Sequence, residues 1–217
     1  MKTKSRFVEM FGDFQKEIPL SYYIESLTAG KSLAGDTQCK NKVLKTGAVT
    51  YDQFDSSQVK DLPKSYTPLK SHLVHKGDVL ISRMNTAELV GAAAYVWDIQ
   101  PFTYLPDRLW RANLQTTASP IFLWKLLTNI DTKESIRRFA GGTSGSMKNI
   151  SKTALLSIMV PKIPLKLQNR FSDFICQLDK SGFVTPPRRR FRANRRKNFV
   201  ARSHYKDFLL ESSPVEP

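Results

Sequence analysis

The sequence has few of the features that mark secreted, membrane-spanning or metal-binding proteins. Two cysteines in 217 residues exclude a disulfide framework, and they match no metal-binding spacing. No apolar run approaches the roughly 18 residues of a transmembrane helix, and no signal-peptide core follows the basic N-terminus. Acidic residues are also scarce, with 19 Asp+Glu against 34 Lys+Arg. We therefore expect a cytoplasmic protein with no membrane partner.

Catalytic signatures are absent as well. There is no Walker-type phosphate loop, dinucleotide fingerprint, His-Glu-x-x-His or Gly-x-Ser-x-Gly motif. A metal-dependent nuclease needs clustered carboxylates with a nearby lysine, and Asp107 and Glu134 lack that arrangement. His72 and His75 have a spacing that a metal pair can use, but no third ligand is near, so we favour solvated surface histidines. The sequence predicts no catalytic residue, no metal and no cofactor.

The chain does contain enough apolar residues for a core, and it has a large excess of positive charge. Apolar residues make up 41% of the chain and the formal net charge is +15, which indicates a polyanion as partner. Residues 184–217 alone carry a net charge of +6, with two prolines and an arginine run but no apolar period. We expect this tail to lack a packed core. It is either a clamp for DNA phosphates or a solvated tail with no binding role.

The central part of the chain predicts strands. Val79–Arg83 and Leu89–Trp97 are β-prone runs joined by five residues, which indicates a hairpin. A third strand is predicted around Arg108–Leu114. Small residues in the second run would let another part of the chain or a ligand approach closely.

Helical periodicity follows these strands. Ser119 and Pro120 suit a helix start, and the apolar face after them is predicted to run from Ile121 to Ile130. A second helix is predicted over Thr132–Phe139, and a last amphipathic helix from Leu167 to Leu178. The fold class is therefore α+β, with a mixed or antiparallel β-rich domain, peripheral helices and a short final helix.

Several motifs that follow one another along the chain resemble the target-recognition domain of type I restriction-modification specificity subunits. The resemblance covers roughly residues 4–182. The motifs are Lys4–Asp13, Lys76–Asn85 followed by Glu88–Gly91, Leu105–Trp110, Gly142–Ile150 and Pro161–Gln168.

The resemblance implies a non-catalytic protein that reads DNA. Such subunits carry two target-recognition domains, each of which reads one half of a bipartite DNA sequence. Paired spacer helices set the gap between the two halves and bind the methyltransferase subunits. The implied partners are double-stranded DNA, the methyltransferase (modification) subunit and the restriction subunit, with a second copy of this chain or another half-subunit as a further candidate.

Read in this way, the chain holds a single target-recognition domain. Residues 1–13 would be the end of a spacer-type helix, 14–164 the target-recognition domain, 165–182 the start of a spacer helix, and 183–217 the basic tail. A long spacer helix should continue after Gly182, but Pro186 and Pro187 cannot continue it. We expect a half-length or truncated subunit whose tail comes from a shifted reading frame, which sequencing of the downstream DNA would test.

The candidate DNA-contacting residues fall into three groups. Phosphate contacts suit small hydroxyls and a lysine, whereas base contacts suit arginine and asparagine. Arg83 and Arg108 have an alternative role, in ion pairs with Asp78 or Asp107. The loop over 141–146 has its own alternative as a plain connector. We place base reading in residues 35–70. The candidates are Tyr51, Lys64 and Tyr66 in that variable half, Ser82, Arg83, Asn85, Arg108 and Arg111 near the strands, and Thr143, Ser144, Ser146 and Lys148 in the loop.

Overall fold

Short strands and five helices make up the part of the chain that the computed structural model describes, residues 6–142 and 147–180. The helices are α1 (Arg6–Phe11), α2 (Pro120–Thr128), α3 (Ile130–Phe139), α4 (Lys152–Leu156) and α5 (Leu165–Lys180). The strands are β1 (Lys16–Pro19), β2 (Ile24–Thr28), β3 (Lys42–Leu44), β4 (Val49–Thr50), β5 (Gln53–Phe54), β6 (Val59–Asp61), β7 (Val79–Ser82), β8 (Met84–Asn85), β9 (Ala93–Tyr95), β10 (Thr103–Tyr104), β11 (Leu109–Leu114), β12 (Lys148–Asn149) and β13 (Met159–Pro161).

A four-stranded antiparallel sheet in the order β2-β11-β7-β9 lies at the centre. The predicted hairpin is confirmed, because β7 pairs with β9, and the predicted third strand is β11. Smaller sheets surround it: β10-β3-β6, β1-β13, β12-β8 and β4-β5. The α+β class expected from the sequence is therefore the class observed.

Apolar residues lie on both faces of the central sheet. Successive side chains of a strand point to opposite faces, and both faces are packed here. On one face Leu80, Ala94 and Leu109 join a fully buried cluster with Leu44 and Val49. On the other face α2 packs on β7 and β9, and the indole N–H of its Trp124 donates to the Ala93 carbonyl over 3.1 Å. The small residues predicted to permit close approach do so at Gly91, since a Cβ there would overlap Ile136 of α3.

The helix prediction was wrong at one residue. Ile130 was expected on the apolar face of α2, but it is 67% exposed and begins α3. Asn129 separates the two helices with an extended backbone conformation (φ −65°, ψ 144°). The chain therefore turns after Thr128, and the helical phase that placed Ile130 on the buried face does not continue through the break.

A buried hydrogen-bond network fixes the start of α2 against the start of α5. Gln168 is fully buried, and its Oε1 accepts the backbone N–H of Ser119 over 2.9 Å. Its amide group donates to the carbonyls of Thr117 (2.9 Å) and Ile163 (2.8 Å). Ser119 does precede α2 as predicted, but its hydroxyl pairs with that of Ser172 rather than capping the helix.

The chain divides into two units, Met1–Ser172 and Asp173–Pro217. The described part of the second unit is the end of α5, and the predicted basic tail lies outside the described residues. Within the described ranges, no helix is both long enough and apolar enough to cross a bilayer.

Candidate functional site

One end of the central sheet brings together residues from three segments that are far apart in sequence. Here β7 ends and β11 begins, and the backbone N–H of Arg83 donates to the carbonyl of Arg108 over 3.1 Å. The short strands β8 and β12 pair beside them, with Asn85 opposite Lys148. We call this set the cationic end, and it consists of five residues predicted to contact DNA: Ser82, Arg83, Asn85, Arg108 and Lys148.

Arg83 is held more firmly than its neighbours. Its carbonyl accepts the N–H of Ile150 over 3.0 Å, so that both sides of its backbone are fixed. The guanidinium carbon lies 5.6 Å from the centre of the Trp110 ring, which places the cation against an aromatic face. Arg83 Nε is buried and has no hydrogen-bond partner among the described residues. The side chain is therefore oriented by packing and not by an ion pair.

The other members of the cationic end differ in exposure. Arg108 is exposed, whereas Ser82 is fully buried and accepts a hydrogen bond from the Asn85 amide over 3.3 Å. Lys148 Nζ donates to the carbonyl of Gly142 over 2.8 Å, at the start of the predicted phosphate loop. A direct phosphate contact is thus open to Arg108 and Lys148, and Ser82 contacts Asn85. The remaining loop candidates, Thr143, Ser144 and Ser146, lie outside the described residues.

Arg111 is directed into the protein. Its guanidinium donates to the carbonyls of Leu73 (2.8 Å) and Ser71 (2.9 Å), and it lies 3.9 Å from the Asp78 carboxylate. Burial raises the pKa of Asp78, against the lowering effect of a backbone hydrogen bond and of the Arg111 charge. These contacts favour a structural role for Arg111, in which it fastens the segment before β7 to the central sheet.

The ion pairs considered as alternatives for Arg83 and Arg108 are not formed within the described ranges. Asp78 lies against Arg111 instead, and Asp107 accepts a hydrogen bond from the hydroxyl of Ser32. Neither arginine of the cationic end is therefore neutralised by these carboxylates, and Arg108, which is exposed, is available for an external anion.

The three candidates in the variable half do not form one site. Tyr66 has the ammonium of Lys31 6.0 Å from its ring centre, and Lys31 follows β2, one edge strand of the central sheet. Lys64 is exposed nearby in sequence. Tyr51 lies in the β4–β5 turn, and its neighbour Asp52 is bonded to β9, the opposite edge strand. Tyr51 thus lies beside β9, whereas Tyr66 lies beside Lys31.

Two neighbours of the candidate residues were not predicted. Trp110 belongs to the motif Leu105–Trp110, so the sequence did contain a signal for it. Only the arginines near this motif were predicted to take part in the site. Lys31 has no such signal, because only the folded chain brings it to Tyr66. The described residues contain no cluster of three His, Cys, Asp or Glu side chains that could hold a metal ion, and His75 lies 3.9 Å from Asp78.

Comparison with known proteins finds sequence similarity over part of the chain. No protein-family model matches. The specificity subunit of the type I restriction enzyme EcoEI from Escherichia coli is 30% identical over 146 residues, which cover 64% of this chain and 25% of that subunit. The chain thus spans about a quarter of the length of this curated relative. The similarity confirms the resemblance to type I restriction-modification specificity subunits.

Solved structures of the same kind of protein are also similar. The S subunit of the type I restriction-modification system of M. genitalium matches with a TM-score of 0.47 and 13% identity, over 89% of this chain and 49% of that one. The HsdS subunit of Thermoanaerobacter tengcongensis matches with a TM-score of 0.40 and 12% identity, over 76% of this chain and 37% of that one.

Proposed function

We propose that this chain, similar in sequence to a type I restriction-modification specificity subunit, is the DNA sequence-specificity module of such a system. It recognises one half of a bipartite DNA target, has no catalytic activity of its own, and docks the methyltransferase and restriction subunits that carry out the chemistry. The observation that carries the proposal is the cationic end. Residues from three motifs of the family resemblance meet there without a neutralising carboxylate in the described contacts.

Phosphate binding is the first task of this surface. Arginine and lysine that neutralise phosphates supply most of the sequence-independent affinity, and these contacts fix the orientation of the protein on the duplex. Arg108 is exposed, and Arg83 is preoriented against Trp110. Since these residues belong to motifs that members with different targets share, they are expected to hold the backbone and not to distinguish bases.

Base reading requires other side chains, which we place in residues 35–70. Sequence is distinguished by hydrogen bonds to base edges, each good pair contributing about 1–3 kcal/mol of discrimination. Tyr51, Lys64 and Tyr66 remain the candidates. Because Tyr51 lies beside β9 and Tyr66 lies beside Lys31, one of these two places faces the bases, or the DNA contacts both.

A second candidate function is non-specific nucleic-acid binding through the basic surface and tail. The net charge of +15, of which +6 lies in residues 184–217, favours it. A binding titration distinguishes the two functions. The full chain is titrated against several duplexes of unrelated sequence over a range of salt concentrations. Strong preference for some sequences supports the specificity module, and equal affinities with a steep salt dependence support the non-specific binder.

Two variants identify the surface in the same titration. Arg108→Gln and Lys148→Gln are each expected to reduce the slope of log affinity against log salt by about one, with no change in sequence preference. Lys166→Gln, at an exposed position on α5, is the matched control and should leave the slope unchanged. Unaltered slopes in both test variants would place the DNA elsewhere on the molecule.

A further inference from the structure

The β4–β5 hairpin is built around an unusual turn. Its two central residues, Tyr51 and Asp52, both have positive φ (50° and 63°). A two-residue turn of this kind normally holds Asn-Gly or Asp-Gly, because a side chain at positive φ brings its Cβ close to the backbone. Tyrosine is a poor choice for that conformation, and strained positions that persist are concentrated at functional sites.

The rest of the fold holds this turn in place. The Asp52 carboxylate accepts the backbone N–H of Ala93 over 3.2 Å and the ammonium of Lys133 over 2.5 Å. The Asp52 carbonyl accepts the indole N–H of Trp124 over 3.3 Å. The contacts come from β9, α3 and α2, so three elements fix the residue next to Tyr51.

The outward side chains of the hairpin suit contact with a nucleic acid. Val49 and Phe54 face each other across the hairpin and pack in the core, whereas the adjoining pair, Thr50 and Gln53, points the other way. Gln53 is exposed, and Tyr51 is 65% exposed. The turn thus exposes one aromatic ring next to a glutamine side chain.

The local charge is compatible with DNA. Asp52 is the one acid of the hairpin, and Lys133 neutralises it. Lys125 lies close to the same carboxylate, and Asp55 follows the hairpin directly, so two lysines balance the two acids at the base of the hairpin. A two-stranded ribbon fits the major groove, where glutamine can form two hydrogen bonds to adenine. Aromatic rings contact thymine methyl groups or stack on unpaired bases.

We infer that the β4–β5 hairpin is a base-reading element, in which Gln53 bonds to a base edge, Tyr51 makes the adjacent apolar contact, and Asp52 positions both. This rests on the proposed function, and it adds Gln53 as a specificity-determining residue. The hydrogen bond of the Asp52 carboxylate to β9 ties the turn to the central sheet, which gives the element the fixed position that base reading requires.

The test is selection of bound duplexes from a random pool by the full chain and its variants. Gln53→Ala is expected to reduce discrimination at one position by about tenfold or more and to leave the other positions intact. Gln100→Ala, at an exposed glutamine elsewhere, is the matched control. Tyr51→Gly should relax an adjacent position while it keeps or raises the melting temperature, because glycine adopts positive φ without strain.

Phe102→Gly controls for the release of strain, because Phe102 also has positive φ (60°) and its ring lies under the Lys40 ammonium at 3.8 Å. It should leave the selected sequence unchanged.

If wild type selects a sequence and the Gln53 and Tyr51 variants select the same one with the same affinity, the inference is wrong while the proposed function stands. The inference is also wrong if these variants keep the selected sequence but no longer co-purify with the methyltransferase subunit, or if Tyr51→Gly lowers the melting temperature. If wild type selects no sequence, the proposed function itself fails.

Discussion

Gly91 shows how one residue fixes the contact between a helix and the central sheet. Its φ is +75°, a conformation that disfavours any other residue, and a Cβ there would overlap Ile136 of α3. Gly91→Ala should lower the free energy of unfolding by about 2–4 kcal/mol, from positive φ and overpacking together. Chemical denaturation measures it. Gly141→Ala, where the added Cβ meets no atom within 4 Å, should change stability little, and equal losses in both variants would contradict the account.

Lys125 makes the free energy of unfolding depend on pH. Its ammonium lies 3.8 Å from the centre of the Trp124 ring, and burial lowers its pKa to about 8, although the nearby Asp52 carboxylate acts in the opposite direction. The unfolded chain keeps a lysine pKa of about 10.4. Between about pH 8 and 10 the unfolded state therefore binds more protons than the folded state, so stability rises with pH in this window.

Replacing this lysine should remove that dependence. Lys125→Met is expected to raise the free energy of unfolding at pH 7 by about 1–3 kcal/mol, because the desolvated ammonium is removed, and to abolish the rise above pH 8. Urea denaturation at a series of pH values measures both effects. Lys166→Met is the control at an exposed position. A variant whose stability parallels wild type across the series would show that Lys125 is not the group responsible.

At the same scale, the sequence indicated which candidate residues lie close together, but not which side chains they contact. Arg83, Asn85 and Arg108 were found through motifs, and they do lie together. Asp78 and Asp107 were the alternative ion-pair partners of Arg83 and Arg108, but the Asp78 carboxylate lies beside Arg111. Side-chain partners depend on which strand lies alongside and in which register, and spacing along one segment does not contain that information.

Gln168 decides how α5 begins. Its side chain fills three hydrogen bonds in a buried position, to the backbone of Ser119, Thr117 and Ile163. Gln168→Leu should therefore lower the free energy of unfolding by about 3 kcal/mol, since it leaves three buried backbone groups unpaired. Asn169→Ala, exposed on the same helix, is the control for thermal or urea unfolding. A stable Gln168→Leu protein would mean that water or a shift of α5 replaces these bonds.

Elements with a strong local pattern were predictable. The β7–β9 hairpin, β11 and the helices after Ser119 follow from β-prone runs, a proline at the first helical position and apolar periodicity. Pairings between distant segments were not predicted. β8 with β12 and β1 with β13 join strands of two to four residues that are far apart in the chain, and such short strands do not reveal which distant segment they pair with.

For the whole molecule, net charge and site geometry answer different questions. The +15 indicates a polyanion partner but does not say which surface meets it. The fold gathers part of that charge at the cationic end, and it holds the β4–β5 hairpin beside β9 and Tyr66 beside Lys31. General affinity and sequence preference can thus reside in separate regions of the described part of the chain.

The central claim is that this chain distinguishes DNA sequences, and selection from a pool of random duplexes tests it most directly. The full chain, alone and with a methyltransferase subunit, is incubated with the pool at moderate salt, and the bound fraction is sequenced over several rounds. We predict enrichment of one short sequence, present once if one chain acts alone, or as two symmetric halves at fixed spacing if two copies assemble. Retained binding without any enriched sequence, under both conditions, would contradict the account.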